Sequence, residues 1–154
     1  MPEKEEVIKA LQKPAQFGPD IDLEAYGRES SRTPAGEAPM RIQEEGRAGT
    51  YLQVDYSVVR RVIREALRDS VEIVDMREAR KRHDLAPYYW KLVNPATDKY
   101  TAWTYLNEDR GVFIRVKEGV KVPLPLQACF FIGTEGLNQN VHNIIVMEPD
   151  SEAT

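Results

Sequence analysis

Apolar residues take helical spacing at the start of the chain, where Val7, Ile8 and Leu11 predict a short helix over 3–13 that Pro14 stops. From 14 to 49 that pattern dissolves. Pro14, Gly18, Pro19, Gly27, Pro34, Gly36, Pro39, Gly46 and Gly49 punctuate polar sequence whose few apolar anchors are Phe17, Ile21, Leu23, Tyr26, Met40 and Ile42, which predicts an extended arm or linker. Order is expected again from Tyr51. Val58, Val59, Val62, Ile63, Ala66 and Leu67 fall at steps of one and four, so the spacing predicts a helix over 56–69 capped by Asp55. The apolar run Val71-Glu72-Ile73-Val74 then leads to Asp75 and Glu78, whose capping-box spacing predicts a second helix as far as His83. Asp84-Leu85-Ala86-Pro87 breaks it, and Pro87 opens a further turn carrying Tyr88, Tyr89, Trp90 and Leu92.

After Asn94-Pro95 the period changes to two. Short β-type runs at 100–106, 111–116, 125–132 and 142–147 are separated by Gly, Pro, Asn and Asp. In the second run Val112, Ile114 and Val116 alternate with Phe113, Arg115 and Lys117, the mark of a half-buried strand. Residues 126–132 are apolar on both faces, as expected of an interior strand. The expected division is an N-terminal helix and arm over 1–50, a helical region over 51–97 and a sheet region over 98–154, whose series of strands is still open at Thr154.

The 154 residues suit one ordinary domain, or a small domain with an appendage. Lys and Arg number 21 against 25 Asp and Glu, and a net charge of −4 gives no bulk electrostatic pull toward nucleic acid. Cys129 is the only cysteine, which leaves no internal disulfide framework and no zinc-finger spacing, and suggests a reducing, cytoplasmic setting. The opening Met1-Pro2-Glu3-Lys4-Glu5-Glu6 has the charge pattern of neither a signal nor a transit peptide, and no apolar run is long enough to span a membrane.

Candidate chemistry is sparse. Cys129 lies in the most apolar run, an environment that disfavours a nucleophilic thiolate, with His142 one run away; the choices are an inert buried cysteine, a metal or cluster ligand, or a Cys/His pair. His83 and His142 are the only histidines and lie at no metal-site spacing; His142 reads as a satisfied side chain at a strand end. Nucleotide-binding glycine motifs are absent. Arg60, Arg64 and Arg68 form a row on the polar side of the expected 56–69 helix, which either grips phosphates or is a solvated face partnered by Glu65. The aromatic residues at 88–90 either stack on a ligand or plug the junction of the helical region and the sheet.

Across 86–148 the order and spacing of several segments carry a resemblance. Tyr88-Tyr89-Trp90-Lys91-Leu92-Val93, Asp98-Lys99-Tyr100-Thr101-Ala102, Gly111-Val112-Phe113-Ile114-Arg115-Val116, Gly119-Val120-Lys121-Val122, Pro125-Leu126-Gln127-Ala128-Cys129 and Gln139-Asn140-Val141-His142-Asn143-Ile144-Ile145-Val146 resemble the SufB/SufD family, especially its archaeal SufB-like branch. The arm from Lys13-Pro14-Ala15-Gln16-Phe17-Gly18-Pro19 to Leu23 is similar to that branch's N-terminus. The resemblance implies a scaffold of the Suf iron-sulfur cluster assembly system, non-enzymatic, working with a SufB/SufD-type subunit and a SufC-type ATPase. It implies an α+β fold in which a helical N-terminal segment leads into the first rungs of a right-handed parallel β-helix. In the family that β-helix continues past the 144–146 strand, so Thr154 is expected to end a fragment, a truncated reading frame or one half of a split gene. The family's later cluster-assembly residues and its SufC-docking segment have no counterpart here. No catalytic residue is therefore carried over, and Cys129 is the one candidate metal ligand, with an iron-sulfur cluster implied for the full assembly.

Two other classes compete with that reading. A nucleic-acid-binding module would use the Arg60/Arg64/Arg68 face, against the negative net charge and a β-like 71–74 segment where a helix-turn-helix needs a tight turn. A small-molecule enzyme would need a convergent polar set, and the strands offer only Arg115, Gln127, Cys129 and His142.

Overall fold

A computed structural model describes residues 2–27, 29 and 42–154. Pro34, Gly36, Pro39 and Met40 of the expected arm lie outside them. In chain order the elements are α1 (Lys4–Ala10), β1 (Gly49–Val54), β2 (Ser57–Ile63), β3 (Val71–Asp75), α2 (Met76–Arg82), α3 (Lys99–Asn107), β4 (Val112–Val116), β5 (Leu126–Phe131) and β6 (Ile144–Met147), with 3-10 turns at Leu23–Ala25 and Glu65–Leu67. The strands form two mixed three-stranded sheets, ordered β2-β1-β5 and β3-β4-β6.

This architecture corrects the expected right-handed parallel β-helix, because the described residues form two small mixed sheets and no solenoid. β1 and β2 make an antiparallel hairpin, β3 and β4 pair antiparallel, and only β1–β5 and β4–β6 run parallel. One trait of stacked strands is present locally: Arg110 pairs with Val141, Phe113 with Ile144 and Lys121 with Glu152, all parallel. These are two passes of chain side by side. On the other side of β4 lies β3, which runs antiparallel where a further coil would run parallel.

The helix expected over 56–69 is also replaced, by β2 and a 3-10 turn. Asp55 does not cap a helix. With φ at +51° it lies in the two-residue hairpin turn that pairs Val54 with Ser57. The β-branched Val58, Val59, Val62 and Ile63 suit a pleated surface. Their helix-like spacing comes from a bulge: Leu52 pairs with Arg60 but Gln53 with Val58, so Val59 is an extra residue that shifts the alternation. The Asp55 carboxylate is buried and ties the turn to the 133–134 loop, accepting from Gly133 N at 2.6 Å and Thr134 Oγ1 at 2.8 Å.

The run expected as a strand at 100–106 is α3. Asp98 caps it, accepting from Thr101 N at 2.9 Å while Thr101 Oγ1 returns a contact to Asp98 N at 3.1 Å. Ala102 then packs on Val7 and Ala10 of α1, so the cap and this contact override the β preference of Thr and the aromatic residues. Asp75 caps α2 as its spacing predicts, accepting from the N–H groups of Arg77 and Glu78.

The main core lies between the sheets. Val71, Ile73, Val112, Ile114 and Val116 project from one face of β3-β4-β6 onto Tyr51 of the other sheet. On the opposite face Val74, Phe113, Ile144 and Val146 meet Met76 and Ala79 of α2 and Leu85. Each such apolar side chain contributes about 1.5–3 kcal/mol, against about 0–1 for an exposed ion pair, so packing rather than surface charge fixes how the layers sit. β5, expected as an interior strand, is an edge strand with half-exposed residues.

Candidate interaction groove

The groove starts from the turn after α2. Asp84 Oδ1 accepts from Ala86 N at 3.0 Å, and Tyr88 and Tyr89 both donate backbone N–H groups to Leu85 O, at 2.9 and 2.8 Å. This tight winding puts Trp90 at φ +50°, a conformation a bulky residue holds only when its surroundings enforce it. The surroundings are aromatic. The Trp90 ring lies 5.5 Å from Tyr105 of α3, edge to face, and 4.6 Å from His142 just before β6; Tyr89 lies 5.0 Å from the same imidazole. The 88–90 cluster thus joins α3 to the segment before β6, and within it Trp90 is buried while Leu92, two residues on, is fully exposed.

Under this cluster sits Glu108, one residue beyond α3 and almost wholly enclosed. Its carboxylate accepts from Arg80 at 2.6 Å, from Trp90 Nε1 at 3.2 Å and from the Tyr89 hydroxyl, with His142 Nδ1 3.0 Å away but off the line of a good hydrogen bond. Burial pushes the Glu108 acid up, but His142, Tyr89 and the Arg80 charge outweigh it and hold the carboxyl below its ordinary value. Burial and then the Glu108 hydrogen bond push the Tyr89 phenol up to about 12. With Nδ1 turned to Glu108, the imidazole of His142 lines a groove of about 550 Å³ between the 87–93 turn, α3 and β6, in company with Trp90, Tyr100, Thr104 and Ile145. A fixed carboxylate, an oriented imidazole and apolar walls are equipment for recognition. A nucleophile–base pair is not part of it.

Glu108 was not among the residues singled out from sequence. Its partners lie 28, 19 and 18 residues away in the chain, so no spacing betrays it. Of the residues that were, His142 is at the groove and Cys129 is not: Cys129 is half-buried on β5, paired with Leu52 of β1 within the β2-β1-β5 sheet. Among the described residues no three His, Cys, Asp or Glu side chains converge to hold a metal ion. The donors therefore do not fit an iron-sulfur cluster on this chain alone, which needs about four thiolate-type ligands. The arginine row does not form a helix face either. Arg60 lies on β2 and pairs with Glu44 at 2.7 Å, Arg64 donates to Arg47 O at 2.7 Å, and Arg68 follows the 3-10 turn beside Glu65. His83 pairs with Glu72 at 2.7 Å and stacks on Phe113. Among the described residues no helix is long and apolar enough to cross a membrane.

No family model matches the chain. Curated proteins do. The chain is 40% identical over 94% of its length to an iron-sulfur cluster assembly SufBD family protein of Methanothermobacter thermautotrophicus, and covers 40% of that protein. It is 29% identical over 75% of its length to a SufBD family protein of Archaeoglobus fulgidus, covering 31% of it. With the iron-sulfur cluster assembly protein SufB of Bacillus subtilis it shares 33% identity over 68% of its length, covering 23%. The chain thus spans well under half the length of these relatives, but the match to the first takes in 94% of it: the chain belongs to the iron-sulfur cluster assembly SufBD family.

Proposed function

We propose that this chain is a non-catalytic part of an iron-sulfur cluster assembly scaffold, acting in the cytoplasm with a SufB/SufD-type subunit and a SufC-type ABC ATPase. The observation that carries this reading is the 40% identity to a SufBD family protein over 94% of the chain. Because the chain spans 40% of that relative, it supplies the corresponding portion of a scaffold and not the whole of its chemistry. The cluster is cargo in this reading, and its ligands come chiefly from elsewhere in the assembly.

The test is genetic and biochemical. Deleting the segment that encodes these residues from the native gene is expected to lower the activity of iron-sulfur enzymes in the cell. The tagged native product should co-purify with an ABC-type ATPase and a second SufBD-type subunit. Unchanged iron-sulfur enzyme activities, with neither protein recovered, would overturn the proposal.

A further inference from the structure

The groove beside Trp90 has an apolar rim. Leu92 is fully exposed, Ile145 is 63% and Val93 51% exposed. A small molecule on the groove floor would leave Leu92 in water, whereas contiguous apolar exposure of this kind is covered by a chain segment lying across the rim. The charge of that segment is set by the lining. Lys91 is the lysine of the lining, and among the described residues no aspartate or glutamate stands there with it. Glu108 stands behind His142, committed to Arg80, Trp90 and Tyr89. An acidic visitor meets the Lys91 ammonium with no like charge in the lining, whereas a basic one meets Lys91 as a like charge.

We propose that this groove docks an acidic amphipathic segment of a partner protein, with large apolar side chains over Leu92, Val93 and Ile145 and carboxylates toward Lys91. The inference stands on the groove itself and not on the family. It also runs against the bulk electrostatics, because the chain's net charge of −4 favours a basic partner at every unspecialised surface.

That opposition makes the test sharp. Two short amphipathic peptides, one of leucine and glutamate and one of leucine and lysine, are titrated into the labelled full chain and followed by anisotropy and amide chemical shifts. The glutamate peptide is expected to bind at least about tenfold more tightly, with shifts centred on 88–93 and 141–145. Leu92→Asp and Ile145→Asp should each weaken it by about tenfold or more, and Lys91→Glu should erase the preference for it. Both apolar positions are exposed, so circular dichroism and melting are expected to be unchanged; should Ile145→Asp unfold, Ile145→Ser and Leu92→Asp carry the test. Equal or tighter binding of the lysine peptide, or binding indifferent to the Leu92 and Lys91 changes, would overturn the proposal. So would failure of the glutamate peptide to bind, including the case where Leu92→Asp instead abolishes self-association and identifies a second copy as the occupant.

Discussion

A methyl group at position 111 has no room. Gly111 sits at φ +140°, and a Cβ built there would lie 2.0 Å from the carbonyl oxygen of His142, which is backbone and cannot swing aside. Gly111→Ala is therefore expected to destabilise the chain by about 3 kcal/mol or more, read as a fall in midpoint denaturant concentration. Because the clash pushes on His142, the ring contacts of Trp90 should loosen, and Trp90 near-ultraviolet dichroism reports that separately. Glu108 supplies a second expectation. Its carboxyl is held below the ordinary value of about 4.3, so its contribution is complete above that value and lost as pH falls through the lower, folded one. Glu108→Gln should cost about 1–3 kcal/mol at neutral pH and flatten the acid side of the stability profile. The Tyr89 phenol works the other way: raised from about 10 toward 12, it stabilises below pH 10 and loses that effect as pH climbs between the two. If the Gln variant keeps the parent's acid limb, Glu108 is not the group responsible. None of this was legible from spacing, because Gly111, Glu108 and His142 meet only through tertiary structure. Sequence left the aromatic run at 88–90 as either a ligand stack or a junction, and the rings of Trp90, Tyr105 and His142 make it a junction between α3 and the approach to β6.

At the scale of elements, legibility followed local chemistry. The α2 cap was readable because Asp75 and Glu78 are neighbours in sequence, and α1 because Pro14 bounds it. β2 was misread because one bulge residue, Val59, turns an alternating pattern into a helix-like one. α3 was misread because Thr101, Trp103 and Tyr105 suggest a strand, although the Asp98-to-Thr101 capping spacing was there to be weighed. That cap does two jobs, since Asp98 Oδ2 also accepts from Gln16 N at 2.9 Å and so anchors the N-terminal arm. Asp98→Ala is accordingly expected to cost about 1–2 kcal/mol and to speed amide exchange both in the first turn of α3 and at residues 16–21. Confinement of the change to α3 would show that the arm is held by its other contacts, Lys99 with Asp20 and Tyr100 with Pro19.

At the scale of the molecule, the residues after β6 close the inter-sheet core. Val122 N donates to Glu152 O at 2.8 Å, Glu152 N to Val120 O at 2.9 Å and Leu126 N to Thr154 O at 2.7 Å, over a core edge made by Val120, Val122 and Leu126. Ending the chain at Glu148 should lower stability by about 2 kcal/mol or more while leaving one cooperative melt, because Tyr51 and the β3-β4 strands still share a core. Two separate transitions would mean that the sheets fold independently. The family-derived β-helix failed at this scale for a related reason: β3 pairs antiparallel with the central β4, and β5 pairs with the central β1, a strand far from it in sequence. The parallel passes have a further consequence, for how the gene can change length. Lys121 and Glu152 pair across 31 residues, and Arg110–Val141 and Phe113–Ile144 keep the same offset. An inserted or deleted codon between 110 and 121 therefore throws the second pass out of step unless 141–152 changes by the same amount. Evolution in this segment is expected to proceed by paired indels, like two lines of verse that must keep one metre.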